Sequence, residues 1–139
     1  MPRNELAPDS QYYVPKFRRM ELKYFCLQYP MWEHEYKLWL DTKHGSSVII
    51  VGKHSSEYKD MVTRIAEKRE SLRSKINLVR NTLSEVIPLD DGLYKPMLTA
   101  ITTDKSYEDL NRYCDLTCGR NQYYKYLRQF YWLLDKKKR

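Results

Sequence analysis

The chain has 139 residues, 42% of them apolar, which suits one domain of ordinary size with a modest core. Lysine and arginine outnumber aspartate and glutamate by 25 to 18, and the resulting net charge of +7 favours a polyanionic partner. No apolar run approaches the roughly 18 to 20 residues that a helix needs to cross a bilayer, and the four glycines are too few for a many-turned sheet, so long helices are expected instead.

Residues 1–11 hold Pro2, Pro8, Asp9 and Ser10 with little apolar content and read as a flexible leader. Met1-Pro2-Arg3-Asn4-Glu5 carries no charged-then-apolar signal pattern, and the three cysteines, Cys26, Cys114 and Cys118, lack paired spacing. Both features point to a reducing, cytoplasmic setting. Residues 12–40 are expected to form an N-terminal aromatic helical pair. In its first helix Phe17, Met20, Tyr24 and Leu27 share a stripe, and Pro30 ends that helix. In the second, Trp32, Tyr36 and Trp39 stack on one face.

Residues 41–56, with Gly45-Ser46-Ser47, Gly52 and Ser55-Ser56 around Val48-Ile49-Ile50-Val51, read as a linker whose apolar tetrad suits either a short strand or a packed segment. Residues 57–87 carry the clearest pattern: Val62, Ile65, Arg69, Leu72, Ile76, Val79, Leu83 and Val86 follow one another by steps of three and four. This is a heptad seam on a long central helix, whose stripe must lie against the N-terminal pair or a second copy of the chain, allowing a homodimer. Arg69 interrupts the seam, either setting register or snorkelling off its edge.

Pro88 and Asp90-Asp91-Gly92 close that helix, and residues 88–139 are expected to hold a helix-turn-helix. A short helix from Leu93 should bury Tyr94, Met97, Leu98 and Ile101. Ser106 then caps the next helix, with Asp109 as its capping-box partner. Residues 115–118 make a turn and Gly119 opens a last helix running to about Asp135, with Tyr123, Leu127, Phe130 and Leu134 inward. The fold class is therefore all-α.

With that face inward, Arg120, Asn121, Gln122, Tyr124, Lys125 and Arg128 point outward from the first turns of the last helix, the part of a recognition helix that reaches base edges. Arginine suits guanine and asparagine or glutamine suits adenine through paired hydrogen bonds in the major groove, so Arg120, Asn121 and Gln122 are the base-reading candidates. Tyr124, Lys125 and Arg128 suit phosphates, and Lys136, Lys137, Lys138 and Arg139 add sequence-blind attraction to double-stranded DNA. The same basic amphipathic face also fits a plain solvated surface.

Phe25-Cys26-Leu27-Gln28-Tyr29-Pro30-x-Trp32, the charged stretch around Ala66-Glu67-Lys68-Arg69, and Ser106-Tyr107-Glu108-Asp109-Leu110 followed by Cys118-Gly119-Arg120-x-x-Tyr123-Tyr124 resemble segments of small phage proteins. These are the ArpU/RinA-type late transcriptional regulators and their uncharacterised phage relatives, with a C-terminal part similar to sigma-factor region 4. The resemblance covers about half the chain. It implies a phage DNA-binding transcription regulator in the host bacterial cytoplasm, with RNA polymerase or another host protein as a further partner. The turn departs from the pattern in carrying Cys114-Asp115-Leu116-Thr117-Cys118 where a small residue and glycine are usual, and the last helix is unusually aromatic. Both departures fit an alternative, a protein inhibitor that occupies the nucleic-acid channel of a host enzyme.

No metal, cofactor or catalytic site is expected. Cys114 and Cys118 have no nearby histidine or second cysteine pair, and His34, His44 and His54 align on neither a helix nor a strand period. Glu33 and Glu35 flank His34, but adjacent side chains on a helix diverge. No phosphate loop or nucleophile elbow is present.

Overall fold

A computed structural model describes residues 11–43, 56–113 and 119–139. It is all-α: α1 (Lys16–Leu27), α2 (Tyr29–Lys43), the long central α3 (Ser56–Val86), α4 (Tyr94–Thr103), α5 (Tyr107–Tyr113) and α6 (Arg120–Lys137), with no strand among the described residues. The tetrad 48–51, His44, His54, the leader up to residue 10, Cys114 and Cys118 lie outside the described residues. No described helix is long and apolar enough to cross a membrane.

Local chemistry explains most helix ends. The Pro15 carbonyl accepts the first helical bond of α1, from Arg19 N–H at 2.9 Å, and Gln28 closes the helix by bonding back to Phe25 and Cys26. The chain cannot run straight on, because Pro30 has no N–H and its ring would strike the Cys26 carbonyl. In the first turn of α2 that missing donor is harmless. Pro88 stops α3 in the same way after the Ile87 N–H to Leu83 carbonyl bond of 2.8 Å, and the Asp91 carboxylate then accepts Leu93 N–H at 2.9 Å to hold the turn. α4 ends on Asp104 in the left-handed conformation, φ 56° and ψ 40°. Its carboxylate is 3.2 Å from Lys23 Nζ. Ser106 Oγ accepts Asp109 N–H at 3.1 Å, so the cap expected for α5 is present.

The chain divides into two compact units, residues 1–28 with 78–139, and residues 29–77. This grouping departs from the expected N-terminal pair of 12–40, because α1 packs on α4 and α6 while α2 belongs with the first part of α3. In the first unit Leu22, Val79, Leu83, Ile87, Met97, Ile101, Leu110, Tyr123, Phe130 and Leu134 are buried. Thr82, also buried, satisfies its hydroxyl on the Leu78 carbonyl at 2.6 Å. Tyr94 Oη reaches from α4 to the Arg80 carbonyl at 3.0 Å, and burial raises its phenol, with Arg80 opposing. In the second unit Tyr29 and Trp32 meet edge-on at 6.5 Å, Lys75 Nζ lies 5.8 Å above the Trp32 ring, and Ile65, Leu72 and Ile76 are buried.

The expected stripe of α1 is corrected. Phe17 and Tyr24 are 76% and 59% exposed and Met20 is also exposed, whereas Leu22 and Cys26 are buried. Arg18, Leu22 and Cys26 are spaced by four, and this narrower line is the one α1 turns inward, because Arg18 must reach Asp135 on α6. The heptad of α3 fares better: Ile65, Leu72, Ile76, Val79 and Leu83 are buried, and Val62, at 43% exposure, is not. Val86 of the same seam is half-buried, and the five buried positions are covered within the chain itself. Arg69 is half-buried and lines a 160 Å³ dent with Tyr36, Ala66, Glu70 and Arg73, the geometry of a side chain leaving the edge of the seam. Leu98, expected inward on α4, is only half-buried, its place taken by Ala100.

Candidate nucleic-acid interface

α6 is anchored by Tyr123, Phe130 and Leu134, all essentially without exposure, at spacings of seven and four. Leu127, expected with them, is half-buried. The opposite side begins at the amino end, where Gly119 occupies the cap position with φ −77° and ψ 172° and offers no side-chain acceptor. No acidic residue lies in this first turn, so the positive end of the helix dipole and Arg120 add to one another. Glu108 of α5 offsets them. Its carboxylate pairs with Arg120, whose guanidinium also lies 5.7 Å from the Tyr107 ring centre.

Of the base-reading candidates, Asn121 is exposed, Gln122 is half-buried, and Arg120 is held between Glu108 and Tyr107. Among the phosphate candidates Lys125 is exposed, whereas Tyr124 and Arg128 are half-buried. Tyr124 stands edge-on to Tyr123 at 5.2 Å, and Tyr123 in turn meets Tyr107 at 5.2 Å, so the aromatic residues form a row under the basic face. Arg120, Asn121, Tyr124 and Arg128 together line an open cleft of about 350 Å³.

The terminal cations, expected to add sequence-blind attraction, each have a partner within the unit. Lys136 Nζ lies 3.7 Å above the Trp132 ring and Lys138 Nζ 3.8 Å above Phe25, while Lys137 pairs with Glu85. Arg139 reaches Asp135 at 2.9 Å. All four residues remain exposed, so their charges still contribute to the field of this end of the unit.

Asp135 is the anchor beneath them. Its side chain is 5% exposed, with Arg18 Nε at 2.6 Å on one oxygen and Arg139 on the other, which ties the end of α6 to the start of α1. Cys26 lies nearby, and burial pushes its thiol up to about 12 despite the Lys138 ammonium. Tyr131 is raised further still, first by burial and then by Cys26, Asp104 and Tyr123. These groups are neutral at physiological pH.

Sequence reasoning missed a second cleft, of about 220 Å³, in which Tyr12, Tyr13, Arg19 and Lys23 face Arg128 and Tyr131. Gln129 Nε2 donates to Tyr12 Oη at 3.3 Å across 117 positions of sequence, a juxtaposition for which no periodicity gives a signal. Among the described residues no cluster of histidine, cysteine or carboxylate side chains could hold a metal ion. Compared with protein-family models, curated proteins and solved structures, the chain matches none of them.

Proposed function

We propose that this chain is a DNA-binding regulator, acting in the cytoplasm of a phage-infected bacterium, that presents the first turns of α6 to the major groove. The observation that carries the reading is the exposed pair Asn121 and Lys125 beside a cleft lined by Arg120, Asn121, Tyr124 and Arg128, on a helix whose other side is buried. Asn121 is suited to pair with adenine, and Arg120, once it exchanges Glu108 for a base, with guanine. Lys125, Arg128 and the cations at 136–139 contact phosphates. The exchange at Arg120 is inexpensive, because the pair is exposed and such pairs contribute about 0–1 kcal/mol. The resemblance to phage late regulators supports the same reading, with RNA polymerase as a further partner.

A gel-shift selection from genomic fragments tests it. Asn121→Ala with Arg120→Ala should flatten the preference between selected and random duplexes by roughly ten- to a hundredfold. Neutralising Lys136, Lys137, Lys138 and Arg139 should weaken all duplexes alike and lower the salt slope by up to about 3.6, roughly 0.9 for each cation. Equal losses on selected and random duplexes in the first experiment would remove the base-reading role. The row Tyr107, Tyr123 and Tyr124 under Arg120 favours one other reading, an inhibitor that blocks a nucleic-acid channel of a host enzyme, since tyrosine and arginine dominate protein hot spots. No shift with any duplex, together with a nucleic-acid enzyme recovered from host lysate, would select that reading.

A further inference from the structure

The cleft of about 220 Å³ between residues 12–14, α1 and the middle of α6 differs in chemistry from its neighbours. The cleft at the start of α6 is bordered by Arg120, Asn121, Tyr124 and Arg128, and the one beside Ser106 holds the Lys23–Asp104 pair and Lys105. Here the walls are the rings of Tyr12, Tyr13 and Tyr131 with the side chains of Val14, Met20 and Leu127. Arg19 and Lys23 border it as well, but Lys23 pairs with Asp104 at 3.2 Å and Arg19 is also partnered, so what they offer the cleft is their aliphatic stems. The frame is set before any ligand arrives. Tyr12 meets Trp132 edge-on at 5.3 Å and accepts from Gln129 at 3.3 Å, Val14 is buried, and the Arg18 to Asp135 bond of 2.6 Å fastens α1 to α6.

Phenol rings and aliphatic side chains around one opening favour a flat, uncharged guest. Rings gain from offset or edge-on contact with tyrosine, whereas an ion would leave water for walls whose Arg19 and Lys23 are already engaged. Volume sets the size. An apolar cavity of about 150 Å³ holds one benzene ring, so 220 Å³ admits a ring with one short substituent and falls below the roughly 300 Å³ at which pockets for larger ligands begin. The polar end is defined too. Burial keeps the Tyr131 phenol protonated, so its hydroxyl can donate to the substituent, and the Arg128 guanidinium can lie against the face of the ring. We propose that this cleft binds a small neutral aromatic molecule, one ring with a single hydroxyl- or amide-like substituent, seated among Tyr12, Tyr13 and Tyr131. Such a guest would bind whether or not α6 reads a duplex.

The test titrates the isotope-labelled full chain with benzyl alcohol, benzoate and cyclohexylmethanol, probes of similar size that differ in charge or flatness, and follows backbone amide shifts by NMR. Benzyl alcohol should shift the amides of Tyr13, Val14, Met20, Leu127 and Tyr131 saturably, with a Kd below about 1 mM. Cyclohexylmethanol, which has the bulk without the flat ring, should bind roughly 2- to 12-fold more weakly. Benzoate should also bind more weakly than benzyl alcohol at neutral pH. Tyr13→Ala should weaken benzyl alcohol by roughly 2- to 12-fold, and Tyr13→Phe, which keeps the ring, should stay within about twofold of the wild-type chain. The probe series on the unaltered chain decides the matter even if Tyr13→Ala disturbs the fold. Benzoate binding as tightly as benzyl alcohol would make this an anion site, and equal affinity for cyclohexylmethanol would make it an unselective apolar gap. Shifts centred on other residues, or a folded Tyr13→Ala chain with wild-type affinity, would place the ligand elsewhere. Each of these results overturns the proposal.

Discussion

Replacing Asp135 by asparagine probes the contact that holds α6 against α1. The carboxylate is 5% exposed and accepts from Arg18 Nε at 2.6 Å, with Arg18 28% exposed and Arg139 72% exposed. Asparagine keeps the shape and one acceptor but removes the charge, leaving the partly buried Arg18 guanidinium with the exposed Glu21 carboxylate, 3.7 Å away, as its remaining ion-pair partner among the described residues. Breaking a fully buried pair from one side costs about 3–5 kcal/mol. Water still reaches Arg18, and the Arg139 contact is an exposed one that contributes little, so about 2 kcal/mol is the expected loss. For a chain of this size that lowers Tm by about 6–8 °C, and in urea the midpoint should fall with the slope unchanged. Arg18→Met combined with Asp135→Leu should recover most of the loss, because apolar residues of similar volume replace buried ion pairs without penalty. A change below about 0.5 kcal/mol in Asp135→Asn, measured by urea denaturation, would refute the assignment of this pair as the clamp between the helices.

Two further changes test the electrostatics. Glu108→Gln releases Arg120 and removes a negative charge beside the proposed phosphate path, so duplex affinity at low salt should rise about two- to fivefold, with stability altered by less than about 1 kcal/mol. A fall in affinity by anisotropy would mean that Glu108 positions Arg120 instead of restraining it. Alkaline pH should destabilise the fold. Burial raises Cys26 from 9.0 to about 12, and Tyr94 and Tyr131 are raised as well, so these groups ionise more readily in the unfolded chain. Stability is therefore full below about pH 9 and drains as pH climbs toward 12. Denaturation midpoints across this range should fall less steeply in Cys26→Ala, and parallel slopes would contradict the buried, protonated thiol.

The signals that proved legible were those whose cause lies within a few residues. Pro30 and Pro88 interrupt helices because a proline lacks a donor wherever it stands, and Ser106 caps α5 because its hydroxyl reaches only three residues ahead. The stripe of α3 was readable for the same reason: Ile65, Leu72, Ile76, Val79 and Leu83 repeat at the helical period, and all are buried. The outward direction of Asn121 and Lys125 followed from the inward direction of Tyr123, Phe130 and Leu134.

The face that α1 buries was not readable. Phe17, Met20 and Tyr24 make the more apolar line, yet the helix turns Leu22 and Cys26 inward, since the choice depends on what α6 offers across the packing. The same holds for Lys136 over Trp132, Lys138 over Phe25, and Arg18 on Asp135.

Amino-acid order by itself determined the all-α class, the long central helix, the helix boundaries at proline and serine, and the polarity of α6. Tertiary structure alone decided that α1 joins α4 and α6 while α2 joins the first part of α3, and that Tyr12, Tyr13, Lys23 and Tyr131 share a cleft. The physical reason is range. Helix periods and caps are settled by bonds between near neighbours, whereas packing partners are selected by burial and charge pairing between residues that only the folded chain brings together.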